Sequence, residues 1–146
     1  DGGPRGLSMN SFYIFGDQFT STPTNWDSNV GTSQMLNIWW GSWSASNGDE
    51  LVFSPILPPG TYSFTVLTLK TPSGAILDMY LDGTKINGAS YDSYASSNTF
   101  NQKWTVSNVS VSTYGVHSLK IKVNGKNGSA SDYRINMTYV LVEKTA

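Results

Sequence analysis

From residue 50 onward this chain of 146 residues is built of short runs in which apolar and polar side chains alternate one by one, each run closed by a turn signal. Leu119, Ile121 and Val123 alternate with Ser118, Lys120 and Lys122, and Tyr62, Phe64 and Val66 alternate with Thr61, Ser63 and Thr65. Leu77, Met79 and Leu81 alternate with Asp78, Tyr80 and Asp82, after which comes the pair Asp82-Gly83. A period of two sends one set of side chains to a buried face and the other to solvent, and Asp-Gly favours a two-residue hairpin turn. No segment carries the apolar period of an amphipathic helix over a useful length. The fold class is therefore all-β, with strands expected at 11–15, 35–43, 50–54, 61–69, 75–86, 103–111, 116–123 and 132–144. Their spacing predicts a jelly-roll β-sandwich of about eight antiparallel strands. The stretch around Pro23 and Asn29 reads as a polar loop, and "NGASYDSYASSNTFNQ" as an irregular excursion over the surface. Residues 1–10, "DGGPRGLSMN", are punctuated by Gly and Pro and read as a linker or N-terminal arm, leaving 11–146 as a single domain. The chain opens on Asp1, and a piece of a longer polypeptide is the expectation.

The charge pattern narrows the function classes. Charged residues make up 13% of the chain, against roughly 25% in an ordinary soluble domain, and the net charge is −1. The nine basic residues are scattered singly, so no nucleic acid partner is expected, because phosphate binding needs a concentrated Lys/Arg field. No apolar stretch is long enough for a spanning helix, and no membrane insertion is expected. The absence of cysteine rules out disulfides, thiolate chemistry and cysteine-type zinc sites. His117 is the single histidine; it shares a face with Leu119 and Ile121 and reads as a half-buried position at a strand start. Serine would have to partner His117 outside any GxSxG context, and the adjacent Asp49 and Glu50 would point to opposite sides of a strand. No catalytic residue and no enzyme activity are expected. No metal site or cofactor is expected either. Calcium is left open through Asp49, Glu50, Asp82, Asp92 and Asp132, although no Asp-x-Asp-x-Asp-Gly spacing occurs.

Aromatic residues supply the candidate binding site. "NIWWGSW", residues 37–43, holds three of the five tryptophans, and strand geometry puts Trp39 and Trp43 on one face with only Gly41 between them. Flat indole rings suit the apolar face of a pyranose, with Asn37 beside them to hydrogen-bond its hydroxyls. Trp26 lies in the polar loop, and Tyr91, Asp92 and Tyr94 lie in the excursion, where a mixture of aromatic and polar side chains suits recognition. The ligand-binding candidates are thus Trp39, Trp43, Asn37, Trp26, Tyr91, Tyr94 and Asp92. Packing in a core or against another subunit is the competing role for each ring.

The segment "LPPGTYSFTVLTLKTPSGAILDMYLDGTKI", followed by "W-x-V" and "YGVHSLKIKVNGKN", resembles carbohydrate-binding-module jelly rolls. Tyr80 to Gly83, Tyr91 to Ala95, Val111 to Leu119, Gly125 to Tyr133 and the ending "VEKTA" are also similar to carboxy-terminal domains of bacteriophage tail-fibre and other virion surface proteins. The resemblance covers roughly residues 50–146 and leaves the tryptophan segment outside it. It implies a non-catalytic domain on a virion surface or otherwise extracellular, binding a cell-surface glycan as a homotrimer. The alternatives are a carbohydrate-binding module of a bacterial polysaccharide-degrading enzyme, or a purely structural knob.

Overall fold

A computed structural model describes the backbone of residues 11–15, 26–31 and 40–146, and the side chains of 11–14 and 45–146. Among the described residues the strands are β1 (Ser11–Phe15), β2 (Trp26–Gly31), β3 (Trp40–Ala45), β4 (Glu50–Phe53), β5 (Ile56–Leu57), β6 (Gly60–Lys70), β7 (Ala75–Leu81), β8 (Thr84–Lys85), β9 (Tyr91–Asp92), β10 (Thr99–Val111), β11 (Gly115–Val116), β12 (Leu119–Lys126) and β13 (Tyr133–Lys144). Pairing between them is antiparallel throughout. One sheet runs β10-β6-β13-β3-β2, and β1 continues the β3 side of β13 from Tyr139 to Glu143. The other runs β4-β12-β7, with β8 and β9 sharing the far edge of β7, and β5 and β11 form a small separate ribbon. The architecture is the all-β sandwich that the alternation predicts.

Alternation builds the core. Tyr62, Phe64 and Val66 of β6 and Trp104 and Val106 of β10 turn inward from the first sheet. They meet Leu77, Met79, Leu81, Leu119, Ile121, Val123, Leu51 and Phe53 from the second. A bulge in β13 falls between Met137, opposite Thr68, and Val140, opposite Val66. The extra residue reverses the parity, so that Ile135, Met137, Val140 and Val142 all reach the core. Tyr139 and Leu141 then join Leu67, Leu69 and Phe100 in a second apolar cluster. That is why the run near Val140 is continuously apolar in sequence: both sides of the strand are covered.

Within that class some expectations change: thirteen strands stand among the described residues against about eight, since 75–86 divides into β7 and β8 and short pairings form at β5, β9 and β11. Residues 26–31 form β2, paired with β3, where a polar loop is expected; "WDSNVG" lacks alternation, and two register shifts interrupt its pairing. Thr99 to Gln102 belong to β10 and not to the excursion, because a bulge at Asn101 (φ +56°) breaks the period there. The Asp82-Gly83 turn is as expected, with both residues at positive φ (+49° and +82°), the conformation of a type I′ hairpin. At the turn from β6 to β7, a Cβ on Gly74 would collide with the Ser93 carbonyl. Glycine at that position therefore lets the excursion pack against the turn, where Thr71 N donates to Ser93 O at 3.1 Å and Ser93 N to Ala75 O at 3.0 Å.

Candidate functional site

β10 is the outer strand of its sheet, and facing its free edge are β8, β9 and the segment 86–90 that joins them. Ile86 N donates to Met79 O at 2.9 Å, and β9 returns to β7 opposite Ile76 and Leu77. Between these fixed points the chain closes over Asp78. Its alternation with Leu77 and Met79 points this side chain away from the core, yet it is only 1% exposed. Asn87 Nδ2 and Ser90 Oγ donate to Asp78 Oδ1 at 2.8 and 2.7 Å, Asn124 Nδ2 donates to Oδ2 at 2.6 Å, and Lys85 Nζ lies 3.3 Å from Oδ1. Burial alone would push the Asp78 pKa up, but the hydrogen bonds from Asn87, Ser90, Asn124 and Lys85 outweigh it and hold the carboxyl below its usual range. A buried carboxylate met by this many donors is a fixed anchor for the segment above it.

At the end of that segment Tyr91 turns inward and stacks on Trp104 of β10, with centroids 5.1 Å apart and planes 13° from parallel. Thr68 Oγ1 donates its proton to Gln102 O at 2.9 Å, so the 2.7 Å contact with Tyr91 is a hydrogen bond that the phenol donates. The ring pair seals the core where the two sheets part. Outside the seal are two hollows of about 310 and 440 Å³ that share Ile86. The first lies between residues 86–91 and 104–107, and the second between residues 81–86 and 108–110. They form one trough with a floor of Ile86, Tyr91, Trp104, Val106 and Val109, and walls of Ser, Thr and Asn. Asp82 is the one ionisable group in the lining apart from the Tyr91 phenol. Such a surface suits an uncharged ligand rich in hydroxyl groups.

The residues singled out from sequence do not converge. Tyr91 lines the trough, but its ring is stacked on Trp104 and has the Lys70 ammonium 5.0 Å from its centroid. Asp92 accepts from Tyr94 N at 2.9 Å and from Asn127 Nδ2 at 2.8 Å, pinning the excursion. Tyr94 is half-buried and its backbone bridges to Thr71. The register pairs Trp26 with Trp43, in strands at the opposite edge of the sheet from β10. Asn37 and Trp39 lie outside the described residues. Sequence reasoning passed over Ile86, Trp104, Ser107, Asn108 and Ser110. The available signal was the broken alternation Trp104, Val106, Val109, Val111, which marks a bulge at Ser107-Asn108 beside the trough.

His117 lies behind Asp82, which lines the second hollow. It is buried, more deeply than the half-buried position expected, and both ring nitrogens face acceptors: Nδ1 is 2.6 Å from Asp82 Oδ2, and Nε2 is 2.8 Å from Thr113 O. Only the imidazolium donates to both. The Asp82 hydrogen bond raises the His117 pKa against the opposing effect of burial, and the Thr113 and Leu57 backbone adds to the rise. Asp82 is lowered: burial acts upward, but the His117 and Ser118 hydrogen bonds and the histidine charge prevail. A raised histidine stabilises the fold fully below its unfolded value of about 6.5 and loses that contribution as pH climbs through the raised value. Asp82, being lowered, contributes above about pH 4 and loses its contribution as pH falls through the depressed value. The pair is thus fully effective between those limits. Because Asp82 is half exposed, the expected loss from pH 6 to 9 is about 1 kcal/mol, read as a fall in Tm of about 4 °C. Scanning calorimetry should find that slope missing in His117→Gln; an unchanged slope in the variant would refute the assignment.

No protein-family model matches the sequence, and neither does any curated protein. Solved structures do match the fold. A xanthan lyase from Paenibacillus aligns at TM-score 0.67 and 22% identity over 87% of this chain, which spans 12% of that enzyme's length. The CBM36-1 domain of a multidomain xylanase from the hindgut metagenome of Trinervitermes trinervoides aligns at TM-score 0.61 and 19% identity, over 94% of this chain and 99% of that one. A CBM36 module solved with calcium and xylotriose aligns at TM-score 0.52 and 15% identity, over 89% and 97%. The chain has the jelly-roll fold of carbohydrate-binding modules.

The calcium in that last structure raises the question of whether the donors here fit a metal. Calcium takes six to eight oxygen ligands. Asp49 instead accepts from Ser46 N, Glu50 faces Lys120 and Lys122, Asp82 faces His117 and Ser118 N, Asp92 accepts from two N–H groups, and Asp132 accepts from Tyr133 N. Among the described residues no three acidic or histidine side chains gather, and these carboxylates do not fit a calcium ion.

Proposed function

We propose that this chain is a non-catalytic carbohydrate-binding module, of the kind attached to polysaccharide-degrading enzymes, and that it holds its glycan in the trough beside β10. The observation that carries the proposal is the trough's lining: hydroxyl and amide side chains over an apolar floor, with Asp82 as its one carboxylate. The fold shared with the xylanase module over nearly the whole of both chains supports it. This setting departs from the virion surface and the trimer implied by sequence resemblance, because the matching folds come from a xanthan lyase and a xylanase. Because Tyr91 and Trp104 stack on each other, the contacts to sugar are chiefly hydrogen bonds, and single-site affinity is weak.

Affinity electrophoresis against xylan, galactomannan, laminarin and xanthan tests the proposal. Retardation by at least one polysaccharide is expected, and unimpeded migration through all four would refute it. Trp43→Ala supplies the comparison: binding that survives the change belongs to the trough, and binding that vanishes belongs to the tryptophan segment.

A further inference from the structure

We infer that the free edge of β10 is a main-chain recognition strip that reads an internal stretch of an extended, uncharged glycan, with Asn108 as its specificity-determining side chain. The inference rests on the carbohydrate-binding proposal and adds to it the ligand class and the reading residue. Among the described residues β10 pairs through one edge only, with β6, and the residues that line the trough from Trp104 to Ser110 are consecutive along it. From Trp104 to Ser110 the other edge therefore offers N–H and C=O groups with no strand partner among the described residues, which would ordinarily invite another β-strand. Register shifts after Thr99 and after Val106, with Asn101 and Asn108 at φ +56° and +60°, interrupt the regular repeat that a docking strand needs. Sugar hydroxyls do not need that repeat.

The side chains along the walls divide in the same way. Asn87 and Ser90 are committed to Asp78, and Thr105 Oγ1 to Thr65 Oγ1 at 3.0 Å. Thr84, Ser107, Asn108 and Ser110 are exposed and make no side-chain hydrogen bond among the described residues, so their capacity is left for a ligand. Asn108 is set apart by its left-handed backbone, a conformation that costs free energy and is held by the surrounding strands. The bulge places Asn108 in the lining of the second hollow. The Asp82 carboxylate in the same hollow is neutralised by the His117 imidazolium, and no Lys or Arg lines either hollow to attract an acidic sugar. The stretch from Trp104 to Ser110 is about 20 Å long at strand rise, enough for about four sugar units read from the side and not from a chain end.

Calorimetric titration with xylo-, manno- and laminari-oligosaccharides of two to six units, and with oligogalacturonides, tests the inference. For the neutral series that binds, affinity should rise about tenfold from the disaccharide to the tetrasaccharide and level off, and the oligogalacturonides should not bind. Asn108→Gly keeps the positive φ and removes the amide; it should weaken the tetrasaccharide about tenfold without lowering Tm. Equal affinity for two and six units, tight binding of the acidic series, or an unaltered Asn108→Gly would each overturn the inference while leaving carbohydrate binding itself in place. Failure of every oligosaccharide and polysaccharide would remove both.

Discussion

Asp78→Ala is expected to destabilise the domain by about 3 kcal/mol, a fall in Tm of about 10 °C, and to loosen the trough wall before the core melts. The carboxylate is 1% exposed and joins elements far apart in sequence: Asn87 and Ser90 from the wall, and Asn124 from β12. Truncation leaves their donors facing a cavity, and each unsatisfied buried donor costs about 1–3 kcal/mol unless water reaches it. Ser90 and Asn124 are exposed as residues and Lys85 is 38% exposed, so part of that cost is recovered by hydration, which is why the estimate is near 3 and not far above it. Asp78→Asn should lose less, about 2 kcal/mol, because one oxygen still accepts while the new amide opposes an existing donor. Denaturant titrations measure both. The pH dependence has a definite sign: the depressed Asp78 pKa means its contribution is present above about pH 4 and lost as pH falls through the folded value. Wild type and Asp78→Ala should therefore converge in acid. A loss below about 1 kcal/mol at neutral pH would show that the wall does not depend on this anchor.

How much was legible in the sequence follows from which forces act locally. Strands β7 and β12 and the first half of β6 could be read because alternate residues of each meet the core, and the Asp82-Gly83 hairpin because positive φ selects its residues. β2 could not be read, since "WDSNVG" is strand by virtue of its pairing with β3 and not of its own pattern. Alternation correctly sent Asp78 to the side opposite Leu77, but it could not say that the chain would return nine to twelve residues later to cover it. Tyr91 was recognisable as an aromatic in an irregular stretch, whereas its stacking on Trp104 is a contact between two sheets that sequence spacing does not encode. The trough's hydroxyls escaped for another reason. Ser107 and Ser110 occupy the exposed side of an alternating strand, where they look like ordinary solvated positions until a second wall stands opposite them.

Ala89→Trp is expected to weaken glycan binding at least about 100-fold, or about 3 kcal/mol, with Tm changed by no more than about 1 °C. Ala89 lines the first hollow and is exposed, and its carbonyl, which accepts from Asn87 Nδ2 at 3.2 Å, is main chain and survives the substitution. An indole there would take up much of a space of about 310 Å³ and exclude sugar without entering the core. Removing the floor instead would give an ambiguous result: Trp104→Ala leaves a cavity under Tyr91 and should cost about 3–5 kcal/mol, so lost binding could follow from lost structure alone. Filling the trough avoids that confusion, and Ala89→Ser, which adds one hydroxyl to a lining already rich in them, should bind within about threefold of wild type. Isothermal titration with the best oligosaccharide, paired with thermal melts of each variant, decides the matter. Undiminished binding by a stably folded Ala89→Trp would place the sugar elsewhere on the domain, with the Trp26 and Trp43 edge of the first sheet next in line.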